Sequence, residues 1–223
     1  MTDLFSRGLA YKSLSSREVI LCGIGTCQDE NLIVPETNEN GFSVVGIADK
    51  AFIRCGQIKS VFLPKSVEYI GNSAFAWCDN LENFELTSVL DIKNRAFMGC
   101  NKLNAIKLND NLTCIGEKAF AYCPSVNSVS IPESVTKIGV SAFEGCRNLV
   151  RISLPRGLKY LENGIFYACT SLRYINIPRK LAYIDEYAFA YCESINYFDI
   201  PKNTVINKDA FYECGKLKLT NVS

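Results

Sequence analysis

Hydrophobic positions in this chain recur as a block, not with the period of one long helix or strand. The block closes on Ala-Phe-x-x-Cys, at residues 51–55, 74–78, 96–100, 119–123, 142–146, 188–192 and 210–214, with Ile-Phe-x-x-Cys at 165–169. The phenylalanines, Phe52 through Phe211, lie 22 or 23 residues apart. Three residues past each cysteine stands an aliphatic, such as Val126 or Leu149. Six past comes Val129 or Ile152, and eight past comes Ile131 or Leu154. The last two alternate with outward positions, which is strand periodicity. Proline follows at once at Pro64, Pro132, Pro155, Pro178 and Pro201. Lacking an N–H donor, it ends the strand at a corner. A second apolar pair comes next, as in Val135 and Ile138, and Gly71, Gly116 and Gly139 directly follow such pairs. Glycine there suits a turn with unusual dihedrals.

The Ala-Phe-x-x-Cys stretch reads as one short helical turn with Ala and Phe facing inward. Each coil then holds a parallel strand, a corner, a second extended segment and a helical turn, an α+β repeat. A period of this length marks a solenoid, in which each unit shares its core with its neighbours. Eight repeats predict an array over residues 42–217, after a cap and partial first repeat over 1–41. Residues 218–223 are a tail or the start of a further strand. The step from Pro35 to Ile47 is twelve residues, against six from Pro64 to Ile70. The first coil therefore carries an insertion, predicted as a hairpin or loop around 38–41. Residues 19–22 and Ile24 are expected to cover the open end of the core.

The composite motif is L-x-x-I-x-I-P-x-x-V-x-x-I-G-x-x-A-F-x-x-C, matched nearly in full around Ala74, Ala119 and Ala142. It resembles the BspA-like class of leucine-rich repeat, over about Leu32 to Leu217. Departures are local: Thr87 and Asn109 stand at proline positions, and Ile165 replaces the alanine. Lys93, Glu162, Asp185 and Asn207 replace the glycine. The resemblance implies a leucine-rich repeat solenoid. It also implies a surface or secreted protein, commonly bacterial and sometimes protist, that adheres to host or matrix proteins.

Of eleven cysteines, eight occupy one repeat position and three, Cys22, Cys27 and Cys114, lie outside it. A cysteine fixed in register is read as a small buried apolar side chain with a weak thiol donor, and is expected to be reduced. Coils stacked at about 4.8 Å put neighbouring cysteines within disulfide reach, so distance alone does not exclude pairing. The formal charge of +1 gives no reason to expect nucleic acid or an anionic membrane as partner. No apolar run approaches the ~18 residues of a membrane span. Residues 1–23 do not read as a signal peptide. If Met1 is the native start, that favours the cytoplasm over the cell surface.

There is no histidine. That removes Ser–His and Cys–His pairs, imidazole metal sites and the commonest general base. No C-x-x-C occurs, and Gly23-Ile24-Gly25 lacks the rest of a phosphate loop. The expectation is no catalytic residue, no metal and no cofactor.

Recognition remains, on the outward strand positions. One column runs Ser60, Asn83, Ala105, Ser128, Arg151, Tyr174, Tyr197, and its neighbour Phe62, Glu85, Lys107, Ser130, Ser153, Asn176, Asp199. Arg151, Tyr174 and Tyr197, with Asn176 and Asp199, have the composition of a binding hot spot. Phe62, Glu85 and Lys107 are further candidates. Trp77, Tyr122 and Tyr191, and likewise Tyr69, Tyr160 and Tyr183, are expected to pack over coil edges. These features describe a non-enzymatic module binding a host, matrix or cellular protein on its strand-lined face. Two other readings stay open: an intracellular scaffold, and an enzyme or enzyme subunit without a recognisable catalytic motif.

Overall fold

The structure, a computed structural model, describes residues 5–215 and 217–222. Each coil has three sides. The first is a run of parallel strands at Asn31–Ile33, Ser60–Phe62, Asn83–Glu85, Ala105–Lys107, Ser128–Ser130, Arg151–Ser153, Tyr174–Ile175, Tyr197–Pro201 and Lys218–Val222. The second begins at Glu18–Gly23 and Ser43–Ile47 and continues through two-residue strands from Tyr69–Ile70 to Val205–Ile206. The third is built of turns carrying Ala-Phe-x-x-Cys. Equivalent repeat positions lie directly opposite each other, as Ser128 with Arg151 and Arg151 with Tyr174.

At the N-terminus, Ala10–Ser13 pairs antiparallel with Glu18–Gly23, which runs parallel to Ser43–Ile47. Val19 and Leu21 are buried there and close the core. The insertion folds back between Thr37 and Ser43, which form an antiparallel bridge. Gly41 N–H donates to the Asn38 carbonyl at 2.9 Å, and Asn38 N–H to that of Phe42 at 2.9 Å.

The third side corrects the expected helical turn: no helix forms among the described residues. The residue before each cysteine of the motif is left-handed, and so is the residue that precedes the motif in every repeat but the last, where Asp209 is not. Lys50, Ser73, Lys118, Trp77 and Tyr122 are examples, with φ between 53° and 61°. A left-handed residue at every fourth position stops a right-handed helix from propagating. The N–H groups turn sideways instead. Phe52 N–H donates to Ala74 O at 2.7 Å, and Arg54 N–H to Ala76 O at 2.8 Å, both on the next coil. Within the coil, short bonds such as Cys55 N–H to Phe52 O at 3.0 Å make consecutive turns of type II character.

Phenylalanine rings form a continuous column inside this side. Successive centroids from Phe52 to Phe189 lie 5.0 to 5.9 Å apart, the rings near parallel. The cysteine thiols run beside them. Each donates to the phenylalanine carbonyl one coil back: Cys78 to Phe52 at 3.0 Å, Cys123 to Phe97 at 3.1 Å, Cys192 to Phe166 at 3.1 Å. Cys55, first in the column, has no such coil behind it and is half-buried. Burial pushes the Cys78 and Cys146 thiols up to about 12 and that of Cys214 to about 11.

The strand ladders are interrupted, but never on two sides at once. The first side breaks between Ala105–Lys107 and Ser128–Ser130, and again before Tyr197–Pro201; the second breaks between Lys137–Ile138 and Tyr160–Leu161. The turn side spans each gap, with Phe97 N–H to Ala119 O at 2.8 Å, Phe143 N–H to Ile165 O at 3.0 Å and Phe166 N–H to Ala188 O at 2.9 Å.

Phe120→Ala or Phe143→Ala should cost roughly 3–5 kcal/mol, since each empties a fully enclosed site. A denaturant melt checks this, and a loss under about 1 kcal/mol would show that the column is not the core. Alkali should also unfold the protein. An unfolded thiol ionises near ~8.5, whereas the buried one stays protonated. Stability is therefore full below that pH and lost as pH rises toward 12, by about 1.4 kcal/mol per unit per thiol. Cys146→Ala should make the decline of stability between about pH 9 and 12 shallower by that increment. An unchanged slope would show that this thiol is not shielded.

Candidate functional site

The outward strand columns do not make one site. Phe62, Glu85 and Lys107 line a shallow groove of about 360 Å³ near the N-terminal end of the first side, with Lys59, Glu82 and Asn83. Arg151, Tyr174, Asn176 and Tyr197 line a second, of about 630 Å³, with Arg173 and Asn196. Ser128 and Ser130 lie between the two, beside the first ladder break. Asp199 is exposed on the strand Tyr197–Pro201 and lines neither groove. Ser60, placed outward by the strand pattern, is buried: its hydroxyl donates to Asn31 Oδ1 at 2.7 Å.

The second groove is the larger and, in proportion, the richer in aromatic and cationic side chains. The Arg151 guanidinium sits 4.6 Å from the centroid of the Tyr174 ring. This register neighbour holds the long cation over an aromatic face, a contact worth ~0.5–1 kcal/mol at an exposed site. Tyr174 and Tyr197 are 48% and 59% exposed, so their area is open to a partner. Asn176 is tied down: its Oδ1 accepts from Leu154 N–H at 2.7 Å, and its Nδ2 donates to the Leu154 carbonyl at 2.9 Å. It clamps two coils together and shapes the groove floor. Arg173 and Asn196 lie one residue before the tyrosines and were not singled out by the outward columns. No group of acids and cysteines among the described residues is arranged to hold a metal ion.

The turn side carries its own aromatic row. The Trp77 ring lies against Gly99, where an added Cβ would meet its Cε3 at 2.2 Å, and the Tyr122 ring lies against Gly145 in the same way. The Tyr122 hydroxyl donates to the Glu144 carboxylate. That bond and partial burial hold the phenol up at about 12. On the second side, the Tyr69 ring covers Gly46. These rings pack over coil edges, each against a glycine one coil away.

Comparison with known families matches the BspA type leucine rich repeat region in six copies, over residues 45–125 and 113–223. A leucine-rich repeat protein of T. pallidum is 31% identical, aligned over 84% of this chain and 88% of its own, with a TM-score of 0.79. One from Bacteroides ovatus is 25% identical over 99% of this chain and 71% of its own, with a TM-score of 0.76. No curated protein matches.

Gly99→Ala tests the ring-over-glycine packing. The new methyl would displace Trp77, the sole tryptophan, and strain a backbone at φ 74°. Emission should shift to the red, and the protein should lose about 1–2 kcal/mol. An unchanged spectrum would show that the indole does not rest on that glycine.

Proposed function

We propose a recognition function from one premise: the chain belongs to the BspA type leucine-rich repeat family. Its first side binds another protein, as a non-enzymatic interaction or adhesion module. The observation that supports this reading is the C-terminal groove. There Tyr174 and Tyr197 expose rigid aromatic area beside Arg151 and Arg173. Tyrosine and arginine give large contact area and directed hydrogen bonding at little entropic cost. The backbone beneath them is held by neighbouring coils, so the side chains meet a partner already positioned. Asn176 belongs to this support, with Asp199 on the adjoining strand.

A secondary contact area is the N-terminal groove of Phe62, Glu85 and Lys107, where Phe62 is 48% exposed. It offers an apolar anchor flanked by both charge signs, suited to orienting a partner. One chain carrying both grooves would engage an extended partner along its length.

The test is a pull-down with the intact array against a panel of matrix and cellular proteins, then titration of the protein captured. Tyr174→Ala with Tyr197→Ala should weaken that complex by at least ~2 kcal/mol, about thirtyfold. The melting temperature should stay nearly constant, because both side chains are exposed. Tyr160→Ala is the control, exposed on the second side. Loss of binding in the control and none in the double variant would move the recognition surface off the first side.

A further inference from the structure

The formal charge of +1 conceals a segregation of charge in the last coils. At the proline corner, between first and second sides, tight turns are closed by Leu181 N–H to Pro178 O and Thr204 N–H to Pro201 O, each at 3.0 Å. Their exposed tips are Arg179-Lys180 and Lys202-Asn203. One coil earlier the tip residue Arg156 is engaged by Glu133, through Nε at 3.5 Å and its N–H at 2.8 Å. In the last coils the corner cations without such a carboxylate are Arg179, Lys180 and Lys202. Arg179, Lys180 and Lys202 line a recess of about 640 Å³ that holds no carboxylate.

In a three-sided coil that corner lies opposite the turn side. There the same coils carry a cluster of tyrosines in edge-on contact. Tyr167 and Tyr191 are 5.3 Å apart, Tyr191 and Tyr212 5.6 Å, Tyr187 and Tyr212 6.4 Å. Tyr187 and Tyr212 are 37% and 47% exposed. Glu186, Asp209 and Glu213 stand among them, and Lys208, 3.8 Å from Asp209, is the basic residue adjoining. One side is thus aromatic and acidic, and the opposite corner is basic.

We propose that the cationic corner of one copy seats on the tyrosine–carboxylate wall of a second copy, with the rods parallel and in register. Both features occupy the same last coils, so aligned rods bring them level. Near-zero net charge leaves no long-range repulsion to keep copies apart. Carboxylates attract Arg179 and Lys202, and exposed tyrosine faces accept their cationic heads. Corner and wall are different surfaces on opposite sides, so the contact is heterologous. It leaves one of each free on every pair and extends into open lateral rows. A few coils at about 4.8 Å spacing make a narrow contact, below the ~1,200 Å² of a standard interface. Association is therefore weak and sensitive to salt.

Sedimentation velocity on the full chain tests this. In about 0.02 M salt the sedimentation coefficient should rise with protein concentration, and in about 0.5 M salt it should fall to the monomer value. Arg179→Glu with Lys202→Glu should weaken association at least tenfold, as should Glu186→Lys with Glu213→Lys. An equimolar mixture of the two variants should restore it, since each then meets an opposite charge. Arg179, Lys202 and Glu213 are exposed and Glu186 is half-buried, and an unchanged melting temperature verifies the fold. Should a reversal disturb it, Arg179→Gln with Lys202→Gln is read in its place. The proposal is overturned by a monomer at every concentration in low salt, by association indifferent to salt or to the reversals, or by a mixture that fails to recover. A low-salt monomer that captures poly-lysine on the wall or polyglutamate on the corner would also overturn it, in favour of a foreign charged partner.

Discussion

The peptide unit of each repeat phenylalanine is the constraint on which this molecule rests. Its N–H donates forward, to the carbonyl of the residue before the next coil's phenylalanine, as Phe75 does to Ala96 at 2.8 Å. Its carbonyl accepts from the cysteine N–H of its own coil and from the cysteine thiol of the next: Phe75 O takes Cys78 N–H at 3.2 Å and Cys100 Sγ at 3.1 Å. A buried carbonyl is thereby satisfied twice in a place water does not reach. Cysteine suits the position because it is small and apolar yet keeps a weak donor. Alanine would leave the second acceptor site empty. The same burial makes the thiols poor nucleophiles, so the column is structural chemistry, not reactive chemistry.

From that sideways bonding follows the strain on the turn side. Non-glycine residues such as Ser73, Lys118 and Tyr191 are held left-handed. The cost is of order 1–2 kcal/mol each, offset by a hydrogen bond to the neighbouring coil and by ring stacking beneath. Glycine occupies the left-handed position at Gly99 and Gly145, where the preceding coil sends Trp77 or Tyr122 across it. Large and small residues alternate between coils, and close packing needs that complementarity. Because the turn side is unbroken, the strand ladders tolerate gaps that would separate an isolated sheet.

A grid of this kind divides labour by column. Inward columns are fixed by packing and vary little. Outward columns carry whatever side chains recognition needs, on a backbone that is already ordered. The two grooves of the first side differ in chemistry for this reason, one mixed in charge around Phe62, the other cationic and aromatic around Tyr174. The corner and turn columns add a further separation of charge that the total of +1 does not reveal.

The spacing of phenylalanine and cysteine determined the solenoid, the family resemblance and the inward columns, because a repeated apolar position has to meet its equivalent one coil away. It also located Arg151, Tyr174 and Tyr197 on one face, since strand alternation and register place them without further information. It did not determine the conformation of Ala-Phe-x-x-Cys. Local preference favours a helical turn there, and the left-handed residues are stabilised by partners 21 or 22 positions away. Nor did it show that Ser60 turns in toward Asn31 or that Asn176 clamps Leu154. Both depend on which acceptor a neighbouring coil presents. The ladder breaks, and hence the division of the face into two grooves, were decided by tertiary structure alone. They express small differences in how successive coils stack, and no single coil contains them.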